Sequence, residues 1–391
     1  MRAELFTEFK TGRVVPITTI SGDEYAFVPA ALPPSEGALD PKLWPLVTKA
    51  TGEVLRLDGI GRTLPSPTLL LRPLQRREAL RSSRIEGTVV SPEQLLLYEA
   101  LDGFESEPKG RQEQDWLEVF AYYKALRAGF RIYRRDGARL DRETMKTLHR
   151  ILMDTSPRGR DKRPGHFRGV QNHVVGEAGR FTPPPVADLD GCLVNLEEFL
   201  AGEHDPGGLL GQALVRAYVA HYQFEAIHPF EDGNGRVGRL LLALTTTAWL
   251  NLSKPWLYMS EFFDENRSQY IERLFRVSTH GEWSEWIEFC LEGTKQQAEA
   301  AIRTCDALWK VRAHYLATAG SMSPRMHQII TMLFSNPILS IPDIQRRCDV
   351  HYVTAKGDVD KLVEIGVLTE VGRSRPRAFA ASELLRVAYI S

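Results

Sequence analysis

Residues 228–239 read HPFEDGNGRVGR, with one histidine, two acids, three glycines, an asparagine and two arginines in twelve positions. The next stretch, LLLALTTTAWL, is apolar on nearly every side, as in a core helix. Gly233-Asn234-Gly235 therefore falls at a helix N-terminus. Gly233 and Gly235 can adopt positive φ at little cost, which lets successive N–H groups converge on an anion. The helix dipole adds to that attraction. Arg236 and Arg239 are three apart and share a face of the first turn. Each cation there opposes the dipole by about 0.3–1 kcal/mol, a cost that a multiply charged anion offsets, and a guanidinium matches phosphate bidentately. Asp232 would repel bound phosphates unless a cation bridged the two, and Mg²⁺ held by one carboxylate and phosphate oxygens meets that need. His228 can take a proton from an attacking hydroxyl near neutral pH. A phosphate cradle, a metal carboxylate and a base are the parts for transferring a phosphate-containing group.

Two other readings compete. GNGRVG is literally G-x-G-x-x-G, the dinucleotide fingerprint, but that motif requires a preceding β-strand and AHYQFEAIHPF has no short β-branched run. A structural helix cap with a satisfied core histidine would explain one residue, not twelve that agree on one chemistry.

The chain has 391 residues, enough for two or three domains, and a net charge of −1, so no global field draws it to nucleic acid or membrane. Four cysteines without metal spacing read as reduced thiols of a cytoplasmic protein. No signal peptide or membrane span is expected. The positioning elements are mostly helices. Asp40-Pro41 opens one within 41–62. One follows Pro73 and ends at Gly87, and Ser91-Pro92 opens another through Leu101. Further helices are expected over 111–133, 141–153 (capped by Asp141), 186–201, 208–225, 236–250, 264–277 and 282–316. The Gly- and Pro-rich segment 157–185 predicts a β-hairpin with Val170, Val174 and Val175 around a turn at Gly176. Residues 317–323 read as a linker. Beyond them, helix–helix–helix–hairpin is the outline of a winged helix-turn-helix over 323–391, with a generic α+β cap as the alternative.

The central stretch matches HPFx[D/E]GNGRxxR, the signature of Fic-domain proteins, at every fixed position, and the chain resembles that family over about 70–300. The resemblance implies a mainly α fold: a Fic catalytic core at 111–316, an N-terminal helical module at 1–110 and the C-terminal winged helix. It implies AMP transfer from ATP to a Ser, Thr or Tyr hydroxyl of an unidentified target protein, and to the chain itself, with Mg²⁺ or Mn²⁺. His228 would be the base and Asp232 the metal ligand. The ATP contacts would come from Gly233, Asn234, Gly235, Arg236, Val237, Gly238 and Arg239, with Arg239 on the γ-phosphate and Phe230 packed beneath the loop. The segment 168–185 resembles the flap that aligns a target strand. PWLYMSEFFDENRSQYIERL resembles the segment closing the adenosine pocket, with Asn266 a candidate contact. SSRIEG (82–87) fits the family's inhibitory pattern [S/T]xxxE[G/N] through Ser82, Glu86 and Gly87. Glu86 would pair with Arg239 and put negative charge where ATP must bind. A homodimer is also expected from the family.

Other functions remain open from the residues. The reverse reaction, removal of AMP, would use the same groups. A DNA-binding regulator would use 323–391, where nine Lys/Arg face seven Asp/Glu. Lys356 and Lys361 sit on its recognition helix and Arg373, Arg375 and Arg377 in its wing. Transfer of phosphate or phosphocholine is a third option, which the intact GNGR run disfavours.

Overall fold

A computed structural model of the chain describes residues 1–391 except 2, 7–10, 20–21, 36–38, 65–66, 101–109, 137–139, 157, 177–178, 203–206, 321, 372–376 and 391. It begins with an antiparallel hairpin, β1 (Gly12–Thr19) and β2 (Gly22–Pro29), so the start of the segment 1–110 is not helical as the resemblance implied. The helices follow: α1 (Trp44–Thr63), α2 (Thr68–Ile85), α3 (Pro92–Ala100), α4 (Arg111–Asp136) and α5 (Arg142–Thr155). A second hairpin, β3 (Val174–Gly176) and β4 (Gly179–Phe181), precedes α6 (Val186–Ala201), α7 (Ala213–Ile227), α8 (Asn234–Trp249), α9 (Ser260–Glu265), α10 (Arg267–His280) and α11 (Trp283–Ala319). The chain ends in α12 (Pro324–Ser335), β5 (Ile338–Ser340), α13 (Ile341–Cys348), α14 (Tyr352–Glu364), β6 (Thr369–Glu370), β7 (Ala378–Ala380) and α15 (Ser382–Leu385), with a sheet ordered β5-β7-β6. The fold is mainly α.

Local chemistry accounts for the boundaries. Asp40 accepts from the Lys42 N–H at 2.9 Å ahead of Pro41. Ser91 and Gln94 bond each other's backbone reciprocally at 3.2 Å to open α3, and Asp141 caps α5 through the Thr144 N–H at 2.7 Å. Four expectations need correction. Helix α2 starts five residues before Pro73 and tolerates the one ladder bond that this proline cannot make. Val170 is exposed and outside the hairpin, which is shorter than expected. The 264–277 helix is two, broken at Asn266. Helix α11 runs through Ala319 and stops at Gly320, so 317–319 are not linker.

The core helix α8 crosses the centre. Its three consecutive threonines are buried by turning each hydroxyl back on its own helix: Thr245, Thr246 and Thr247 donate to the Leu241, Leu242 and Ala243 carbonyls at 3.0, 2.8 and 2.7 Å. Helix α2 lies against α4, α9 and α8 and is fixed by polar contacts. Buried Glu78 accepts from Tyr122 Oη (2.7 Å), Ser260 Oγ (2.5 Å) and Ser260 N–H (3.1 Å). Arg77 pairs with Glu261, and Arg81 with Glu261 and Asp264. Its N-terminal half meets the C-terminal unit, where Arg72 and Arg76 donate to the Ser335 carbonyl at 3.2 and 3.3 Å.

In that C-terminal unit Arg377 pairs with Glu370 at 2.6 Å and Lys356 with Asp360 at 2.7 Å, so these two cations are neutralised within the chain. Arg373 and Arg375 lie outside the described residues.

Helix α1 is tied to the loop after α8 by Asp58, whose Oδ1 accepts from Ser253 N–H (2.8 Å), Ser253 Oγ (2.5 Å) and Trp256 Nε1 (2.9 Å), with Arg62 on Oδ2 at 2.8 Å. Asp58→Ala leaves those donors unpaired and is expected to cost ~3 kcal/mol, read as a lower Tm. An unchanged melting transition would contradict this role.

Candidate active site

The loop between α7 and α8 is shaped by two left-handed residues. His228 caps α7 at φ +50, with its N–H on the Phe224 carbonyl at 3.0 Å. Gly233 caps the start of α8 at φ +77, where an added Cβ would lie 3.0 Å from Met153 Sδ. Gly235 is helical, contrary to the expected positive φ. Its lack of a side chain makes room for Glu86: a Cβ there would overlap Glu86 Oε1 and push that carboxylate aside. The Val237 N–H makes the first helical bond, to the Gly233 carbonyl at 3.0 Å. The amides of Asn234, Gly235 and Arg236 thus precede the ladder and form the anion-binding end of α8.

Other residues hold this loop. The Asn234 side chain is latched on both ends, Oδ1 to the Phe230 N–H and Nδ2 to the Phe230 carbonyl, each at 2.8 Å, so only its backbone is available to a ligand. Asn172 donates to the same carbonyl at 2.9 Å. Arg168, 2% exposed, donates to the His228 carbonyl (3.0 Å) and the Pro184 carbonyl (2.5 Å), joining the loop to the β3–β4 segment. Buried His149 stacks on Phe230 with ring centroids 3.9 Å apart. Its Nδ1 accepts from the Gly165 N–H at 2.9 Å, which leaves Nε2–H to donate to the Asp232 carbonyl at 3.1 Å.

Arg239 is deeply buried, with its side chain 2% exposed. Its Nε donates to Ser82 Oγ at 2.8 Å, and its Nη2 to the Ser82 carbonyl at 3.0 Å and to Glu86 Oε1 at 2.7 Å. Burial alone would raise the Glu86 pKa, but the Arg239 guanidinium and its hydrogen bond, aided by Arg236, hold it below the usual carboxylate range. The Glu86 side chain is 40% exposed, which screens the pair. Gly87 takes φ +90, the turn that ends α2, and Arg267 Nε donates to the Ile85 carbonyl at 3.0 Å. Arg236 is a different case. It is buried, its Nε has no hydrogen-bond partner, and its nearest carboxylate, Asp232, is 3.9 Å away. A buried guanidinium left this open fits an anion from outside the chain.

Asp232 is half exposed, and its Oδ1 accepts from the Gly233 N–H at 2.6 Å. No group of three or more His, Cys, Asp or Glu able to hold a metal exists among the described residues. One hard carboxylate beside an anion cradle suits a cation that takes its remaining ligands from phosphate and water.

Glu86, His228, Gly235 and Arg239 line one end of a cleft of about 250 Å³, whose other walls are α7, α10 and the β3–β4 hairpin; Asp232, Asn234 and Arg236 lie outside that lining. The N-terminal hairpin buttresses it. Phe27 N–H donates to the Thr182 carbonyl at 2.9 Å, and the Phe27 ring lies 5.9 Å from Phe181, a cleft residue. Asn266 is not in the cleft lining; its Nδ2 bonds the Phe262 carbonyl at 2.9 Å. Arg267 and Tyr270 from the same segment face the cleft instead. The Val237 side chain is in the core and Gly238 packs against Phe224 and Glu225, so neither offers a side chain to a ligand. Sequence reasoning missed Glu225, whose one signal was its place three residues before His228. His149, Arg168 and Tyr270 left no comparable signal.

Comparison with known proteins agrees with this geometry. The Fic/DOC family N-terminal model matches residues 44–131 and the Fic/DOC family model residues 139–245. The chain aligns with a Fic family protein from Desulfovibrio desulfuricans G20 at TM-score 0.55 and 20% identity, covering 86% of this chain and 96% of that one. With Fic-1 from Caenorhabditis elegans the TM-score is 0.53 at 20% identity, over 68% and 74%. The fold and the loop thus define a Fic-type helical core. The chain is a Fic domain protein of the Fic/DOC family. Among curated proteins it is 30% identical over 132 residues to a protein adenylyltransferase Fic of Culex quinquefasciatus, covering 34% of this chain and 24% of that protein. It is 27% identical over 179 residues to one of Drosophila persimilis, covering 46% and 32%. The match thus spans a quarter to a third of these relatives' length.

Burial pushes the imidazoles of His149 and His228 down to about 4 and that of His221 to about 3, from 6.5. An unfolded chain takes up protons on them below pH 6.5 that the folded chain refuses until about pH 4. Stability is therefore full above about pH 6.5 and declines as pH falls toward 4. A Tm that stays level from pH 7 to 4.5 would contradict these assignments.

Proposed function

We propose that the protein is an adenylyltransferase, transferring AMP from ATP to a hydroxyl of a target protein, and that Glu86 restrains it. The single observation that carries this reading is the position of Arg239. It stands on the anion-binding helix end, beside His228 and an Arg236 whose Nε has no hydrogen-bond partner, yet is already engaged by Ser82 and Glu86. In this account the amides of Asn234, Gly235 and Arg236 and the two guanidinium groups bind the phosphate chain. Asp232 would hold Mg²⁺ or Mn²⁺, which when bound neutralises phosphate charge. His228, neutral at pH 7 because burial pushes its pKa to about 4, takes the proton of the target hydroxyl. The hydroxyl oxygen bonds to the α-phosphorus, and the bond from that phosphorus to the β-phosphate oxygen breaks, releasing pyrophosphate.

Glu86 opposes this in two ways. It occupies the guanidinium edge that a γ-phosphate would use, and it adds like charge where that phosphate would sit. Three supports agree: the hydrogen bonds that Arg239 donates to Ser82 and Glu86, Gly235 leaving room for Glu86, and relatives named protein adenylyltransferase. We further read residues 323–391 as a winged helix-turn-helix unit, on the basis of its element order and three-stranded sheet.

Incubation with ATP labelled at the α-phosphate and Mg²⁺ tests the reading, with the protein's own hydroxyls as acceptor. Glu86→Gly is expected to gain label at least about tenfold over wild type, the effect of losing about 1.4 kcal/mol of competition. Glu86→Gly/His228→Ala is expected to gain none. Equal labelling of wild type and Glu86→Gly would overturn the restraint, and undiminished label in the double variant would overturn the role of His228.

A further inference from the structure

The proposed chemistry uses the residues at one end of the cleft and leaves one buried carboxyl unexplained. Tyr222, Glu225 and His228 follow one another at three-residue spacing along α7, all three line the cleft, and His228 ends the helix. At 1.5 Å per residue they mark positions roughly 4.5 Å apart. His228 belongs to the phosphate end. Tyr222 lies farther along the helix, where its hydroxyl meets Ser278 Oγ at 2.9 Å, and the lining there includes the apolar side chains of Leu274 and Phe275. Glu225 lies between the two.

Its carboxyl is only partly answered within the chain, by the charge of Arg239. Oε1 is buried without a hydrogen-bond partner. The space it fills exists because residue 238 is glycine; a Cβ there would overlap Oε1. The nearest cation, Arg239, gives its hydrogen bonds to Ser82 and Glu86 instead. A carboxyl oxygen kept dry and without a donor costs stability, and a ligand that supplies a donor to this carboxyl reduces that cost.

We propose that Glu225 is a specificity-determining residue that accepts a hydrogen bond from a ribose hydroxyl of the bound nucleotide. This rests on the nucleotide reading above. In a nucleoside triphosphate the sugar lies between phosphates and base, as Glu225 lies between the phosphate end and the apolar end of the cleft. Carboxylates are a recurrent solution for ribose hydroxyls, since an ionised acid accepts from them without offering a competing donor. Burial, with Glu86 adding to it, pushes the Glu225 pKa up to about 7 against the pull of Arg239. At pH 8 the group is mainly ionised.

Calorimetric binding at pH 8 separates this role from a structural one. The probes are ATP, 2′-deoxy-ATP and 3′-deoxy-ATP, and the proteins are Glu86→Gly and its doubles with Glu225→Gln and Glu225→Ala. Glu86→Gly is expected to bind ATP at least about tenfold more tightly than one of the deoxy nucleotides, the worth of a hydrogen bond to a charged group. Glu225→Ala is expected to weaken ATP by that factor, leave the disfavoured deoxy nucleotide unchanged and so erase the preference. Glu225→Gln, which keeps the shape and an acceptor oxygen, is expected to retain part of it. Equal weakening of ATP and both deoxy nucleotides would overturn the proposal in favour of Glu225 merely positioning Arg239. A preference that survives Glu225→Ala would overturn it as well. Failure of Glu86→Gly to bind any of the three would remove the nucleotide reading and this inference together.

Discussion

Everything around the cleft follows from one buried cation. A guanidinium 2% exposed is tolerable only when its donors are matched. Arg239 meets that requirement with Ser82 and Glu86, more than 150 residues away in sequence. The partners must therefore be delivered by an element held firmly in place. Helix α2 is such an element. Glu78 accepts three hydrogen bonds from α4 and α9, and Arg77 and Arg81 pair with the acids of α9. The contact between Glu86 and Arg239 is the end of a rigid lever, one that also touches the C-terminal unit through Arg72 and Arg76. Arg236 shows the opposite solution on the same helix turn: buried, but open to an external anion.

The loop is built to keep its backbone in one shape while leaving amides free. The Phe230 carbonyl is claimed by both Asn234 and Asn172, the His228 carbonyl by Arg168, and the Asp232 carbonyl by His149. Each latch uses a side chain on a carbonyl and leaves the N–H groups at the start of α8 free to face a ligand. The proposed catalysis depends on this preorganisation, because amides already aimed at an anion need no rearrangement when charge develops.

How much of this was legible in the sequence depended on whether the information was local. His228, Asp232, Gly233, Arg236 and Arg239 sit within one loop and one helical turn, so spacing alone placed them together. Ser82 and Glu86 were found only because a second short pattern resembled the partner of the first. Asn266 failed because the residues flanking a helix break reach the cleft while the break residue caps its own helix. The Val237 side chain and Gly238 turn to the core because successive residues of a motif that enters a helix point to different faces. The β1–β2 hairpin went unread because its first strand contains Pro16 and lacks a clean inside–outside alternation. His149 and Arg168 act across the fold on backbone carbonyls, and nothing near them in sequence announces that.

The central claim is that Glu86 takes the place of a terminal phosphate on Arg239. The most direct test is the affinity of wild type and Glu86→Gly for ATP and for ADP, measured side by side by calorimetry with Mg²⁺. The account predicts that removing the carboxylate tightens ATP by at least about tenfold, the equivalent of 1.4 kcal/mol, and changes ADP, which has no γ-phosphate, far less. An equal gain for both nucleotides, or none for either, would contradict it.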